Sequence, residues 1–341
     1  MTDCPDHFPA SGSQRILGRV IGGFMLALLL ALPVQAAERL RLATLAPADS
    51  PWGEVFNDWS ETVVDRSRGD LSLEWSFGSR LDESALVARM RSGYLDGAFL
   101  SSVGLSQIRP ELLVLRTPGL FDGWSRLDRV RDVMRADFES LLAAEGFVLI
   151  AWGDVGLIRL MSRGQAIRVP SDLSGAKVVS LKQDRLGPIR ARALGYTPVE
   201  EAIPGVMSAL RDGRVDVVTA SALGARALGW HTELDHVTDL VMGVRSGAIV
   251  MRSDALGRLA PGLRELLETS GLRAGKSLSK RIRGDDRQAQ FALRRRMTVV
   301  ELSGPQRGAW YRAWKQMRGQ LAGETFEAEF FKRVEGLAGV R

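Results

Sequence analysis

The sequence predicts an α/β protein of two similar lobes, on three observations. Short apolar runs rich in β-branched residues alternate with segments of helical length, the pattern of largely parallel strands with helices between them. One unit of helix, glycine turn and strand occurs twice, once in each half of the chain. A long segment of helical composition then follows the second copy.

Taken in order, Leu71, Leu73, Trp75 and Phe77 recur at spacing two, which predicts a half-buried strand bounded by Gly69-Asp70 and Gly78. Ser84 to Ser92 reads as a helix with Leu86, Val87 and Met90 on one side, ended by Gly93. Further buried strands are expected at Phe147 to Ala151, Lys177 to Leu181, Val215 to Ala220 and Met297 to Leu302. The repeated unit is the helix with Leu86 and Met90 running through Gly93-Tyr94-Leu95-Asp96 into an apolar strand. Its counterpart is the helix with Val206, Ala209 and Leu210 running through Gly213-Arg214-Val215-Asp216 into another. Pro261 to Met297 is helical in composition, broken only by Gly271, Gly275 and Gly284. Its closing Arg294-Arg295-Arg296 suits the negative end of a helix dipole better than a phosphate patch.

Composition narrows the function. The 46 basic and 40 acidic residues of the 341-residue chain give a net charge of +6 on a well-mixed surface, which does not point to nucleic acid. One cysteine and three histidines exclude a disulfide framework within the chain, cysteine-cluster metal sites and a histidine zinc centre. No metal and no cofactor are expected. Arg15 and Arg19 precede the apolar stretch Val20 to Leu32, and Pro33-Val34-Gln35-Ala36 follows, which reads as a secretory signal cleaved near Ala36. The apolar stretch is 13 residues, short of the roughly 20 a membrane span needs. Cys4 would leave with the signal, and the mature chain would work in the periplasm.

No catalytic pattern emerges. GxGxxG after a strand, GxxxxGK[ST], GxSxG, HExxH and EF-hand loops are absent, and His231 and His236 have no marked serine nucleophile beside them. An exported two-lobed α/β chain without such a motif is expected to bind rather than to catalyse.

Four stretches resemble the solute receptors of tripartite ATP-independent periplasmic (TRAP) transporters, the DctP family. They are Leu42 to Trp52 (LATLAPADSPW), Gly93 to Phe121 (GYLDGAFLSSVGLSQIRPELLVLRTPGLF), Val169 to Leu181 (VPSDLSGAKVVSL) and Gly195 to Asp216. The resemblance implies a two-lobed periplasmic binding protein with crossing strands and a long helix packed across both lobes. Lobe I would hold residues 37–156 and about 245–284, lobe II residues 157–244 and about 285–341. It also implies a monomer that closes on a small organic solute and delivers it to a permease with a small and a large membrane subunit.

The resemblance places an arginine for a substrate carboxylate where this chain has Val179, and an asparagine where it has Ala220. Two polar ligand positions are thus apolar, and the expected ligand is an uncharged or weakly polar solute. A second family arginine falls on Arg159, so an organic acid anchored there is the alternative. A further alternative is a periplasmic ligand carrier that takes no part in transport. Segments that line the cleft in the family contribute Leu45, Trp52, Ser101, Ser102, Phe121, Trp152 and Ser221.

Overall fold

The computed structural model describes residues 37–340; the expected signal peptide, residues 1–36, lies outside them. The first half contains β1 (Glu38–Ala43), α1 (Pro51–Ser67), β2 (Leu71–Ser76), α2 (Glu83–Arg91), β3 (Gly97–Ser101) and α3 (Ser102–Ile108). A 3₁₀ run, Pro110–Arg116, leads to α4 (Trp124–Val133) and α5 (Arg135–Ala143). The 16-residue β4 (Phe147–Ser162) then crosses into the second half. There lie β5 (Lys177–Leu181), α6 (Leu186–Leu194), β6 (Thr197–Glu201), α7 (Val206–Arg211), β7 (Val217–Ser221), α8 (Ala222–Ala227) and β8 (His236–Thr238). β9 (Gly243–Arg252) crosses back, followed by α9 (Ser253–Gly257), α10 (Pro261–Arg294), β10 (Thr298–Val300), α11 (Gly304–Leu321) and α12 (Ala328–Ala338).

One sheet joins the halves in the order β2-β1-β3-β9-β4-β7-β5-β6, with β8 on β4 and β10 on β8. β1 is parallel to β2 and β3, and β5 is parallel to β6 and β7. The expectation of parallel pairing therefore holds within each half. The two are joined through the antiparallel crossing strands β4 and β9, paired from Phe147↔Arg252 to Ile158↔Gly243. Their register slips between Asp154 and Gly156. Gly156 has φ +143°, and a Cβ there would lie 2.2 Å from that of Ser221, so only glycine passes this crossover.

Charge locks the crossover. Asp154, fully buried, accepts from Arg131 at 2.8 Å through Oδ1 and from Arg283 of α10 at 2.6 Å through Oδ2. Burial opposes the Arg131 charge and lowers its pKa in spite of Asp154. Burial also opposes the charge of Arg283, but its hydrogen bonds to Asp128 and the pull of Asp154 outweigh that and raise its pKa. The Asp154 carbonyl accepts from the Trp52 indole at 3.0 Å.

The glycines of Pro261–Arg294 do not interrupt the helix, which runs 34 residues without a break. A Cβ at Gly275 would lie 2.4 Å from Ala151 Cβ and 2.7 Å from the Trp152 carbonyl oxygen. Its missing side chain lets α10 sit directly on β4. Nothing stands within 4 Å of a Cβ at Gly284. Gly275→Val should therefore destabilise by about 1–3 kcal/mol through overpacking, whereas Gly284→Ala should stabilise by up to about 1 kcal/mol through helix propensity. Urea denaturation of the two variants checks both signs.

The last two helices pack against both halves. Trp310 and Trp314 of α11 pack with Leu160, Val178 and Val217, while Met317, Leu321, Phe331 and Val334 join the core of the first half. Arg333 of α12 forms a double ion pair with Asp137 of α5, at 3.0 Å on each arm. The amphipathic face of α12 packs on α4 of the first half.

Candidate ligand-binding site

In an α/β sheet, loops at the carboxyl ends of parallel strands form the natural crevice. Among the described residues, two of the cavities at the junction of the halves take in positions expected from sequence. The first, about 100 Å³, is bounded by Thr44 and Leu45 after β1, Trp52 of α1, Phe99 of β3, Val155 of β4 and Ile203 after β6. Its one ionisable group is Glu83. That carboxyl accepts the Ser101 backbone N–H at 2.5 Å, the Ser101 hydroxyl at 2.6 Å and the Gly104 N–H at 3.0 Å. Burial nevertheless raises its pKa.

The second cavity, about 80 Å³, has three guanidinium groups in its wall, those of Arg116, Arg190 and Arg245. Arg116 comes from the 3₁₀ run of the first half, Arg190 from α6 of the second, and Arg245 from the crossing strand β9. Asp184, in the loop after β5, is fully buried between two of them. Its Oδ2 lies 3.0 Å from Arg116 Nη1 and pairs closely with Arg190. Burial works against all four charges. It pushes Arg116 down to about 9 and lowers Arg245, which has Arg190 as a like-charged neighbour. Asp184 is nonetheless held below the usual carboxylate range by Arg116 and Arg190, while the Asp184 charge and Tyr196 raise Arg190.

Arg245 differs from its neighbours. Its nearest bond is a long one, 3.4 Å from Nη2 to the Thr219 carbonyl, and its shielded Nε has no hydrogen-bond partner. Among the described residues it has no ion-pair partner. Apart from Tyr196 and Thr219, the rest of the wall is mainly apolar or aromatic, with Ile158, Leu160, Leu173, Leu194, Trp310 and Trp314.

The positions expected from sequence divide between these places. Val179 lines the arginine cavity; Leu45, Trp52 and Ser101 line the apolar one. Ala220 is packed in the core opposite Arg159 on the β4–β7 ladder. Ser221 caps α8, accepting from Gly224 and donating to the Val155 carbonyl. Ser102 and Phe121 are buried inside the first half. Trp152 lies under the Arg131 guanidinium, 5.2 Å from its ring centre, beside α10.

Arg159 lines neither cavity. It alternates with Ile158 and Leu160, which face the arginine cavity, so its side chain leaves β4 on the other face. There it donates to the Asp239 carbonyl at 3.0 Å, with Asp286 nearby. Arg159→Ala should accordingly change affinity for any ligand less than threefold, measurable by calorimetry.

Sequence reasoning missed Arg116, Asp184, Arg190, Arg245 and Glu83. The available signal was an arginine inside each of two apolar runs, LLVLR and GVRSGAIV, where a charge demands a partner.

Two α/β halves tied by crossing strands, with cavities at their junction, define a solute receptor. The chain belongs to the DctP family, bacterial extracellular solute-binding protein family 7, whose family model matches residues 42–323. It is similar to the C4-dicarboxylate-binding periplasmic protein DctP of Rhodobacter capsulatus, 22% identical over 95% of this chain and 98% of that protein. It is also 23% identical to the uncharacterized protein y4mM of Sinorhizobium fredii over 82% of this chain, but spans only 52% of that longer relative.

Among solved structures, a TRAP periplasmic solute-binding protein of Sulfurospirillum deleyianum with bound succinate has a TM-score of 0.82 at 18% identity, over 89% of this chain and 99% of that one. One of Ralstonia eutropha with bound (S)-2-acetolactate has a TM-score of 0.80 at 20% identity, with the same coverage. The sugar acid binding protein of Advenella mimigardefordensis, in complex with galactonate, has a TM-score of 0.83 at 17% identity, over 89% of this chain and 98% of that one. At these identities the likeness is one of fold.

Proposed function

We propose that this protein is the periplasmic receptor of a TRAP transporter and captures a small organic acid, whose carboxylate pairs with Arg245. The observation that carries this reading is the charge balance of the arginine cavity: three guanidinium groups face one paired aspartate. A shielded guanidinium without a counter-charge is costly, and a bidentate carboxylate is its best partner. The guanidinium that the resemblance places at 179 is thus supplied from the neighbouring wall by Arg245, which takes the role that sequence gave to Arg159. The carboxylates bound by the relatives of known structure support this assignment. Closure over the ligand and delivery to a membrane permease follow from the family.

A second reading keeps the uncharged ligand expected from Val179, and the apolar cavity around Leu45, Phe99 and Ile203 favours it. Thermal-shift measurements with small acids and their neutral amides separate the two. A ligand at about 100 times its dissociation constant stabilises by about 2.7 kcal/mol. The acids are expected to raise the melting temperature and the amides to leave it unchanged. Equal shifts from both would sink the acid reading.

A further inference from the structure

We propose that Asp184 is a built-in carboxylate that occupies the second anion position of the site and so restricts it to monocarboxylates with apolar tails. The inference rests on the acid reading above and goes beyond it to the ligand's charge and shape.

Asp184 engages two guanidinium groups that a second carboxylate would need. It is fully buried, and its Oδ2 is approached by guanidinium groups from both halves, Arg116 and Arg190. Its Oδ1 accepts the Leu186 N–H at 3.2 Å, so both oxygens are used. Of the three guanidinium groups, Arg245 alone has no ion-pair partner among the described residues. Glu83, the other acid that Arg245 feels, has its oxygens engaged by Ser101 and Gly104. Arg116 and Arg190 share the Asp184 charge, and a single ligand carboxylate gives Arg245 its counter-charge.

The second carboxylate of a diacid would find no unpaired cation. Apart from the arginines, Tyr196 and Thr219, the cavity wall is mainly Ile158, Leu160, Leu173, Leu194, Trp310 and Trp314, and a charge laid on that surface is unpaired and desolvated. The volume, about 80 Å³, holds roughly five to eight water-sized groups at about 10–15 Å³ each. That suits a short branched acid. Asp184 therefore also ties the halves together while ligand is bound, because Arg116 and Arg190 come from opposite sides of the junction.

The test compares 3-methyl-2-oxobutanoate with succinate, which matches it in heavy-atom count, by calorimetry on the mature protein. At pH 7.5 the monoacid should bind at least about thirtyfold more tightly, roughly 2 kcal/mol. Asp184→Asn should narrow that preference at least tenfold or reverse it, because it frees Arg116 and Arg190 for a second carboxylate. The double variant Arg116→Gln/Asp184→Asn removes one charge of each sign and should keep the monoacid preference.

A fold-neutral arm uses the unaltered protein. As pH falls from 7.5 to 5, succinate gains a proton, and its affinity relative to the monoacid should rise. Both ligands meet the same Glu83, Asp184, Tyr196 and arginines, so site effects common to the two cancel in the ratio. A flat ratio, or an Asp184→Asn variant that folds and keeps the full preference, would overturn the role of Asp184. Succinate bound as tightly as the monoacid would also overturn it, while leaving the acid reading intact. Failure of every acid to bind would bring down the acid reading itself.

Discussion

Replacing Asp154 by alanine is expected to cost about 3–5 kcal/mol of stability, since breaking a buried ion pair strands the remaining charge. For a domain this large that is a fall in melting temperature on the order of 10 °C. Arg283 keeps its pair with Asp128, but the Arg131 side chain, 4% exposed, would retain only the Gly153 carbonyl, at 3.2 Å. The loss falls where β4 changes register and passes between the halves, so the damage should be cooperative rather than local. The double variant Arg131→Met/Asp154→Asn removes both charges and should recover at least half of the loss, since neutral replacement of a buried pair is often tolerated. Calorimetric unfolding checks both. A change under 1 kcal/mol in the single variant would mean that water reaches Arg131.

The second large effect concerns binding. Arg245→Met should weaken a carboxylate ligand by about a hundredfold, because truncating one partner of a buried charge pair costs about 2–5 kcal/mol. The same change should leave the ligand-free protein as stable as before or more so. In the empty site Arg245 is a shielded charge with a single 3.4 Å bond, and methionine fills similar space without one. A purely structural arginine predicts the opposite pairing, with stability lost and affinity little changed. Titration calorimetry and thermal unfolding of the same preparation decide between them.

Much of the architecture is legible in local pattern. The alternation at Leu71 to Phe77 appears as β2, Leu71–Ser76, and the apolar run at Lys177 to Leu181 is β5 with those bounds. The helix read at Ser84 to Ser92 is α2, capped by the Asp82 side chain, which accepts the Ala85 N–H. Such elements depend on residues two to four apart, which share a face or a cap whatever the rest of the chain does. Where distant parts meet, the reading stops short. Phe147 to Ala151 reads as a brief strand from its apolar run alone. The strand continues to Ser162, since Arg131 and Arg283 neutralise Asp154 and Gly156 supplies the crossover.

The site divides along the same line. The sequence alone determined the α/β class and the family resemblance, and led to the expectation of an apolar Val179 at the arginine position. All of these are properties of residue order. Only the tertiary structure decided which arginine faces a cavity. Arg116, Arg190 and Arg245 are far apart in sequence and come from both halves and a crossing strand. Arg159 is turned away by the two-residue alternation of β4. A charge acquires its meaning from what lies within a few ångströms of it, and for these residues that neighbourhood exists only once the two halves have met.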